Sequence, residues 1–134
     1  MGSTTETYFN EFTKVDDDKG ILIFCPKGFL DIKDLKDLTK KCRKVAYDKG
    51  YKLIMDFTDF DTPIGVYSAH KWFEENYSEE EYHLKRVPTV HIANQNYREV
   101  FEHIDWAWPK EGIDTRAFQK KLQAFRWLIK QDEN

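Results

Sequence analysis

Apolar positions along the chain fall into runs of two kinds. Ile21 to Cys25 and Tyr51 to Phe57 are short and nearly continuous, the pattern of strands buried on both faces. Between them Ile32, Leu35, Thr39, Cys42, Val45 and Ala46 recur at helical spacing, with Lys and Asp filling the other side. Asp31 stands where a carboxylate caps a helix, and Gly50 where a helix stops. A helical crossover makes the second strand parallel to the first, and its unbroken apolar character puts it at the centre of a sheet.

Upstream, Thr7 to Val15 alternates as a strand, with Tyr8 and Phe12 on one face and Phe9 and Val15 on the other. Asp16-Asp17-Asp18-Lys19-Gly20 reads as a hairpin turn, because Asp tolerates turn geometry and Gly supplies positive φ. The acidic cluster lacks the ligand spacing of an EF-hand, so it is read as a solvated turn. Pro26-Lys27-Gly28 ends the regular pairing of the next strand.

Downstream, Asp61 or Thr62 caps a helix with Pro63 in its first turn. Its inward face is Val66, Ala69, Trp72 or Phe73, and Tyr77. Ser78-Glu79-Glu80-Glu81 starts a short further segment before Pro88. Val87 to Ala93 is a strand, with Val90 and Ile92 toward the core and His91 on the opposite side. Asn94 caps a helix carrying Tyr97, Val100, Phe101 and Ile104, and 105–112 is a loop dense in aromatics. Ile113 to Phe118 is an edge strand, unless Asp114-Thr115 begins the last helix early. That helix, Gln119 to Lys130, presents Leu122, Phe125, Leu128 and Ile129 inward. The whole predicts one α/β domain over 1–134: a mixed sheet of four or five strands, helices mainly on one face, and residues 1–6 a flexible start.

The order of elements resembles the STAS and SpoIIAA-like superfamily, the fold of bacterial anti-sigma factor antagonists. Ile21-Leu22-Ile23-Phe24 through Gly28-Phe29-Leu30-Asp31 is similar to that family's strand and Gly-x-Leu-Asp corner. Leu53-Ile54-Met55-Asp56-Phe57 resembles its central strand, and Asp61-Thr62 sits near its Asp-Ser turn. Thr115-Arg116-Ala117-Phe118, followed by Leu122, Ala124, Trp127 and Leu128, is similar to the ending of the divergent SpoIIAA-like branch. That branch also resembles the CRAL-TRIO lipid-binding fold. In the regulatory branch a Ser of an Asp-Ser-Ser-Gly turn is phosphorylated. Here the turn reads Asp61-Thr62-Pro63-Ile64-Gly65, which leaves Thr62 as the candidate acceptor; a helix-capping hydroxyl is the plainer reading of the same residue.

Charge and composition narrow the classes. The 134 residues carry 21 Lys plus Arg against 24 Asp plus Glu, a net charge of -3, so no basic surface argues for nucleic acid. Cys25 and Cys42 are far apart and read as reduced core thiols. The N-terminus has neither the basic nor the apolar run of a secretory signal, and no stretch approaches the ~20 apolar residues of a membrane span. A cytoplasmic protein is expected. Gly2 suits myristoylation only in a eukaryotic setting.

No Gly-x-Ser-x-Gly elbow, P-loop or dinucleotide fingerprint is present, and His70, His83, His91 and His103 lack zinc-site spacing. A non-enzymatic domain without cofactor or metal is therefore expected. Its first functional reading is regulatory protein–protein contact through the turn of Asp56, Asp61 and Thr62 and the adjoining aromatic helix. The alternative is a carrier or sensor of a small hydrophobic ligand, in a cleft formed by Tyr67, Trp72, Tyr77, His91, Trp106 and Trp108. A homodimer through an edge strand or the aromatic helix is compatible with either.

Overall fold

The computed structural model describes residues 4–62 and 64–132. Helix α1 (Thr4–Phe12) leads into β1 (Thr13–Asp16), and a tight turn returns the chain as β2 (Ile21–Phe24). Three crossovers follow: α2 (Ile32–Lys49) to β3 (Lys52–Asp56), α3 (Val66–His70) with α4 (Trp72–Asn76) to β4 (Thr89–Ile92), and α5 (Arg98–Ala107) to β5 (Thr115–Phe118). The chain closes with α6 (Lys121–Asp132). The strands lie in the order β1-β2-β3-β4-β5, with β1 antiparallel to β2 and the remaining pairs parallel. This is a mixed, mostly parallel five-stranded sheet with surrounding helices, and β3 is its central strand.

Local chemistry explains the strongest elements. Asp31 accepts from the Lys33 backbone N–H at 2.9 Å and so caps α2, while Gly50, at φ 70°, closes it. Ser78 and Glu81 form a capping box that opens a 3-10 stretch over Glu79–Arg86. Gly28, at φ 73°, turns the chain out of β2 and bridges to Phe60.

Alternation along each strand divides the sheet into two unequal faces. Leu22, Phe24, Leu53 and Met55 join the residues of α2 to α5 in the larger core. Ile21, Ile54, Val90 and Ile92 meet Ala124 and Leu128 of α6 in the smaller one. Among the described residues no helix is long and apolar enough to cross a membrane.

Several expectations are corrected. The stretch from Thr7 to Val15 is mainly helix: Tyr8, Phe9 and Phe12 fall on one helical side and pack against the larger core, Tyr8 and Phe12 with ring centroids 4.3 Å apart. Thr4–Glu6, expected to be part of a flexible start, form the first turn of α1; Gly2 and its modification lie outside the described residues, as does Pro63 with its helical placement. The helix after that position begins at Val66, capped by Gly65 rather than Asp61 or Thr62, and breaks at Lys71 into α3 and α4. Val66 faces solvent. The aromatic stretch at 105–112 is no open loop, since α5 runs through Ala107 and a 3-10 turn, Pro109–Glu111, follows. On α6 it is Ala124 and Leu128 that turn inward, whereas Leu122 and Ile129 are exposed. The close approach of the helix to flat aliphatic strands favours a small residue at the contact.

Candidate functional site

The larger core is not filled. A cavity of about 30 Å³ lies between β3, β4 and the helices above them, and the surface it presents is apolar. Met55 and His91 form its floor as register neighbours on β3 and β4. Leu35, Thr39 and Arg43, four residues apart along α2, reach it from one side; Ala69 of α3 and Trp72 of α4 form another. Val100, Phe101 and Ile104 of α5, with Trp108 just beyond it, complete the chamber.

Aromatic contacts fix these walls. The Trp108 indole donates to the Ala69 carbonyl at 3.0 Å, tying the end of α5 to α3. Its ring meets Phe73 and His91 edge-on, at centroid distances of 5.2 and 5.7 Å. Phe73 in turn stacks on Tyr77 at 4.6 Å. Large rings held in this way leave a gap because they cannot deform to fill it.

Three polar side chains are buried beside the gap: Thr39, whose hydroxyl donates to the Lys36 carbonyl, His91 and Arg43. His91 shares a hydrogen bond between Nδ1 and Thr115 Oγ1, at 3.1 Å. Burial, and secondarily the Arg43 charge, pull its pKa down to about 3, so the ring is neutral at physiological pH. Arg43 is 2% exposed. Its Nη1 donates to Tyr77 Oη at 3.1 Å and its guanidinium lies 4.9 Å from the Phe73 ring centroid. It forms no ion pair among the described residues. Burial likewise pushes the Cys42 thiol, next to it in sequence, up to about 12.

The sequence-derived site residues divide sharply. Trp72, His91 and Trp108 line the chamber, and Tyr77 joins it through Arg43. Tyr67 and Trp106 do not: they are 71% and 66% exposed, and Lys110 lies over the Trp106 ring at 3.5 Å. The turn residues are engaged locally. Asp56 accepts from the Thr58 backbone and hydroxyl, with the Cys25 thiol held above its usual range by burial and then by the neighbouring carboxylate. Asp61 accepts from the Tyr97 hydroxyl at 2.9 Å. Thr62 is buried; its oxygen accepts from the Leu30 N–H at 2.7 Å and its hydroxyl donates to the Leu30 carbonyl. It is therefore a clamp between two loops, closed to a kinase while the turn stays folded.

Arg43 was the residue that sequence reasoning missed. Its spacing of four from Thr39 and eight from Leu35 places it on the buried stripe, while its charge argues for the solvent side.

A second groove of about 380 Å³, of mixed polar and apolar lining, runs past the carboxyl ends of β4 and β5. Two acidic groups along it already hold cations: Glu102 takes Arg98 at 2.7 Å and Asp105 takes Arg116 at 2.9 Å. Among the described residues no group of three or more His, Cys, Asp and Glu side chains is placed to hold a metal ion. No protein-family model matches the chain, and no curated protein matches it.

Proposed function

We propose that this domain is a non-enzymatic carrier or sensor of a small molecule, held in the chamber beneath α2 and α5. One observation carries the reading: Trp72, Trp108 and His91, from three separate elements, converge on a single cavity. An apolar gap of this kind stays free of water and accepts an apolar guest. The volume corresponds to about one methyl or methylene group, so a longer guest enters by parting the rings. The SpoIIAA-like likeness belongs to the same proposal, supported by the Gly28 corner, the Asp31 cap and the strand order.

A second reading, contact with a protein partner, draws support from exposed aromatics. Phe29 and Tyr67, each 71% exposed, lie on segments adjoining the 59–62 turn. Here the partner meets the carboxyl edge of the sheet, and the chamber's occupancy is the signal that edge reports.

Methyl-resolved NMR under xenon pressure tests the first reading, with native mass spectrometry of the intact protein beside it. Saturable shifts at Leu35, Val100 and Ile104, with none at Ile54 on the other face, are expected. A non-covalent mass lost on denaturation would give the natural guest. Shifts absent from the chamber, together with a clean unliganded mass, would overturn the reading.

A further inference from the structure

We propose that His70 and His103 form a two-histidine site for a borderline transition cation such as zinc, bridging α3 and α5. The site is independent of what the chamber holds.

The argument begins with a nitrogen. His103 Nε2 is buried and has no hydrogen-bond partner among the described residues. An imidazole nitrogen carries either an N–H or a lone pair, and either is costly to leave unmet away from water. A buried polar atom in that condition calls for a water or an ion. The neighbouring ring favours the ion. His70, the last residue of α3, meets His103 edge-on, with ring centroids 5.4 Å apart and planes at 62°. Packing alone accounts for such a contact but leaves the nitrogen unpaired. Two imidazoles on one cation account for both, because nitrogens at about 2.0–2.1 Å in a tetrahedral array put the ring centroids about 5 Å apart.

The backbone under the pair is fixed. Trp108 Nε1 donates to the carbonyl of Ala69, the residue before His70, at 3.0 Å, and Ile104, the residue after His103, is buried in the larger core. The two histidines therefore come from elements already tied together, as a preformed site requires. His70 itself is exposed, so its ring can turn to admit a cation without disturbing the core. Glu99, one turn before His103, lines a groove with Val66 of α3 and adds negative charge on that side. Lys71, beside His70 in sequence, is held by Glu74 at 3.1 Å.

The donors set the class of ion. Imidazole suits zinc, copper and nickel, whereas magnesium and calcium take oxygen ligands. Among the described residues no third His, Cys, Asp or Glu completes a group, so water fills the remaining positions. Ala69 of α3 and Val100 and Ile104 of α5 line the chamber, so the bound cation clamps two of its walls together.

Calorimetric titration of the full chain with zinc chloride near neutral pH tests this, with magnesium chloride as the control. Saturable uptake of a single equivalent is expected from zinc, and none from magnesium. His70→Ala and His103→Ala should each weaken zinc binding by about tenfold or more, since each removes one of the two protein ligands. His83→Ala, on the exposed side of the 3-10 stretch, should leave it unchanged. Zinc should also slow amide hydrogen exchange over Val66–His70, which an ion held by one surface side chain would not do. If His103→Ala does not fold, the exposed His70 variant decides alone. No saturable zinc uptake, uptake undiminished in His70→Ala, an equal response to magnesium, or exchange in α3 unchanged by zinc would overturn the proposal.

Discussion

The two faces of the sheet are built from the same strands and solve different problems. Beneath α6 the core is aliphatic: Ile21, Ile54, Val90 and Ile92 meet Ala124 and Leu128. Beneath α2, α3, α4 and α5 the strands present Met55 and Thr89, and also His91, and a buried arginine comes down from above. The small face is covered mainly by aliphatic contacts, with Lys52 Nζ donating to the Leu128 carbonyl at 2.6 Å. The large face carries three buried threonines with satisfied hydroxyls, of which Thr39 donates to Lys36, Thr89 donates to Val87 and Thr115 shares a bond with His91. Arg43 differs from all three in carrying a charge, with no ion pair among the described residues and its Nη1 donating to Tyr77 Oη.

Substitutions on each face should separate these roles. The largest effect belongs to the aliphatic face: Leu128→Ala, at a fully buried position, should cost about 3–5 kcal/mol in urea unfolding. It should leave the xenon shifts of the chamber methyls unchanged, and changed shifts would mean that the faces are not independent.

Acid should act on the other face. His91 stands at about 3 in the folded protein against 6.5 when free, so the unfolded chain takes up the proton first. Its stabilising share is complete above pH 6.5 and is lost as the pH falls toward 3, on the order of 3 kcal/mol gone by pH 4. Urea midpoints measured across this range should slope, and His91→Phe should flatten the slope between pH 6.5 and 4.5. Glu81, drawn down to about 2 chiefly by the Ser78 backbone N–H, adds its own loss only below about 4.5, so the range from 6.5 to 4.5 stands clear of it.

Tyr77→Phe removes the hydrogen bond that Arg43 makes and should cost about 2 kcal/mol, since a bond to a buried charge is lost. The smallest effect runs the other way. Val100→Ile adds a methylene toward the cavity and should stabilise by at most about 0.7 kcal/mol, from ~24 cal/mol per Å³ over a cavity of about 30 Å³. The same change should shrink the xenon shifts, which a purely structural gap elsewhere would not do.

Legibility in the sequence followed how local the determining chemistry is. The strands β2 and β3, the Asp31 cap, the Gly50 stop and the Ser78 start depend on neighbours within a few residues, and all were readable. The first helix was not, because aromatic residues at 8, 9 and 12 satisfy a strand alternation as well as a helical face. On α6 the bulky Leu122 and Ile129 masked the inward position of Ala124, which only the distance to the sheet selects. Part of the chamber was visible in advance: His91 must oppose Val90 and Ile92, and Trp72 lies on the inward side of its helix. Trp106 and Trp108 are near neighbours in sequence, yet residues two apart near a helix end point away from each other. Arg43 stayed hidden because solvation of its charge outweighs spacing in any sequence-based reading, and tertiary packing reversed that order.

The most direct measurement is methyl-resolved NMR of the intact protein under xenon pressure, with Val100→Ile beside it. The account predicts saturable shifts at Leu35, Val100 and Ile104, none at Ile54 on the other face, and smaller shifts in the variant. Shifts absent from the chamber, or equal at Ile54, would contradict it.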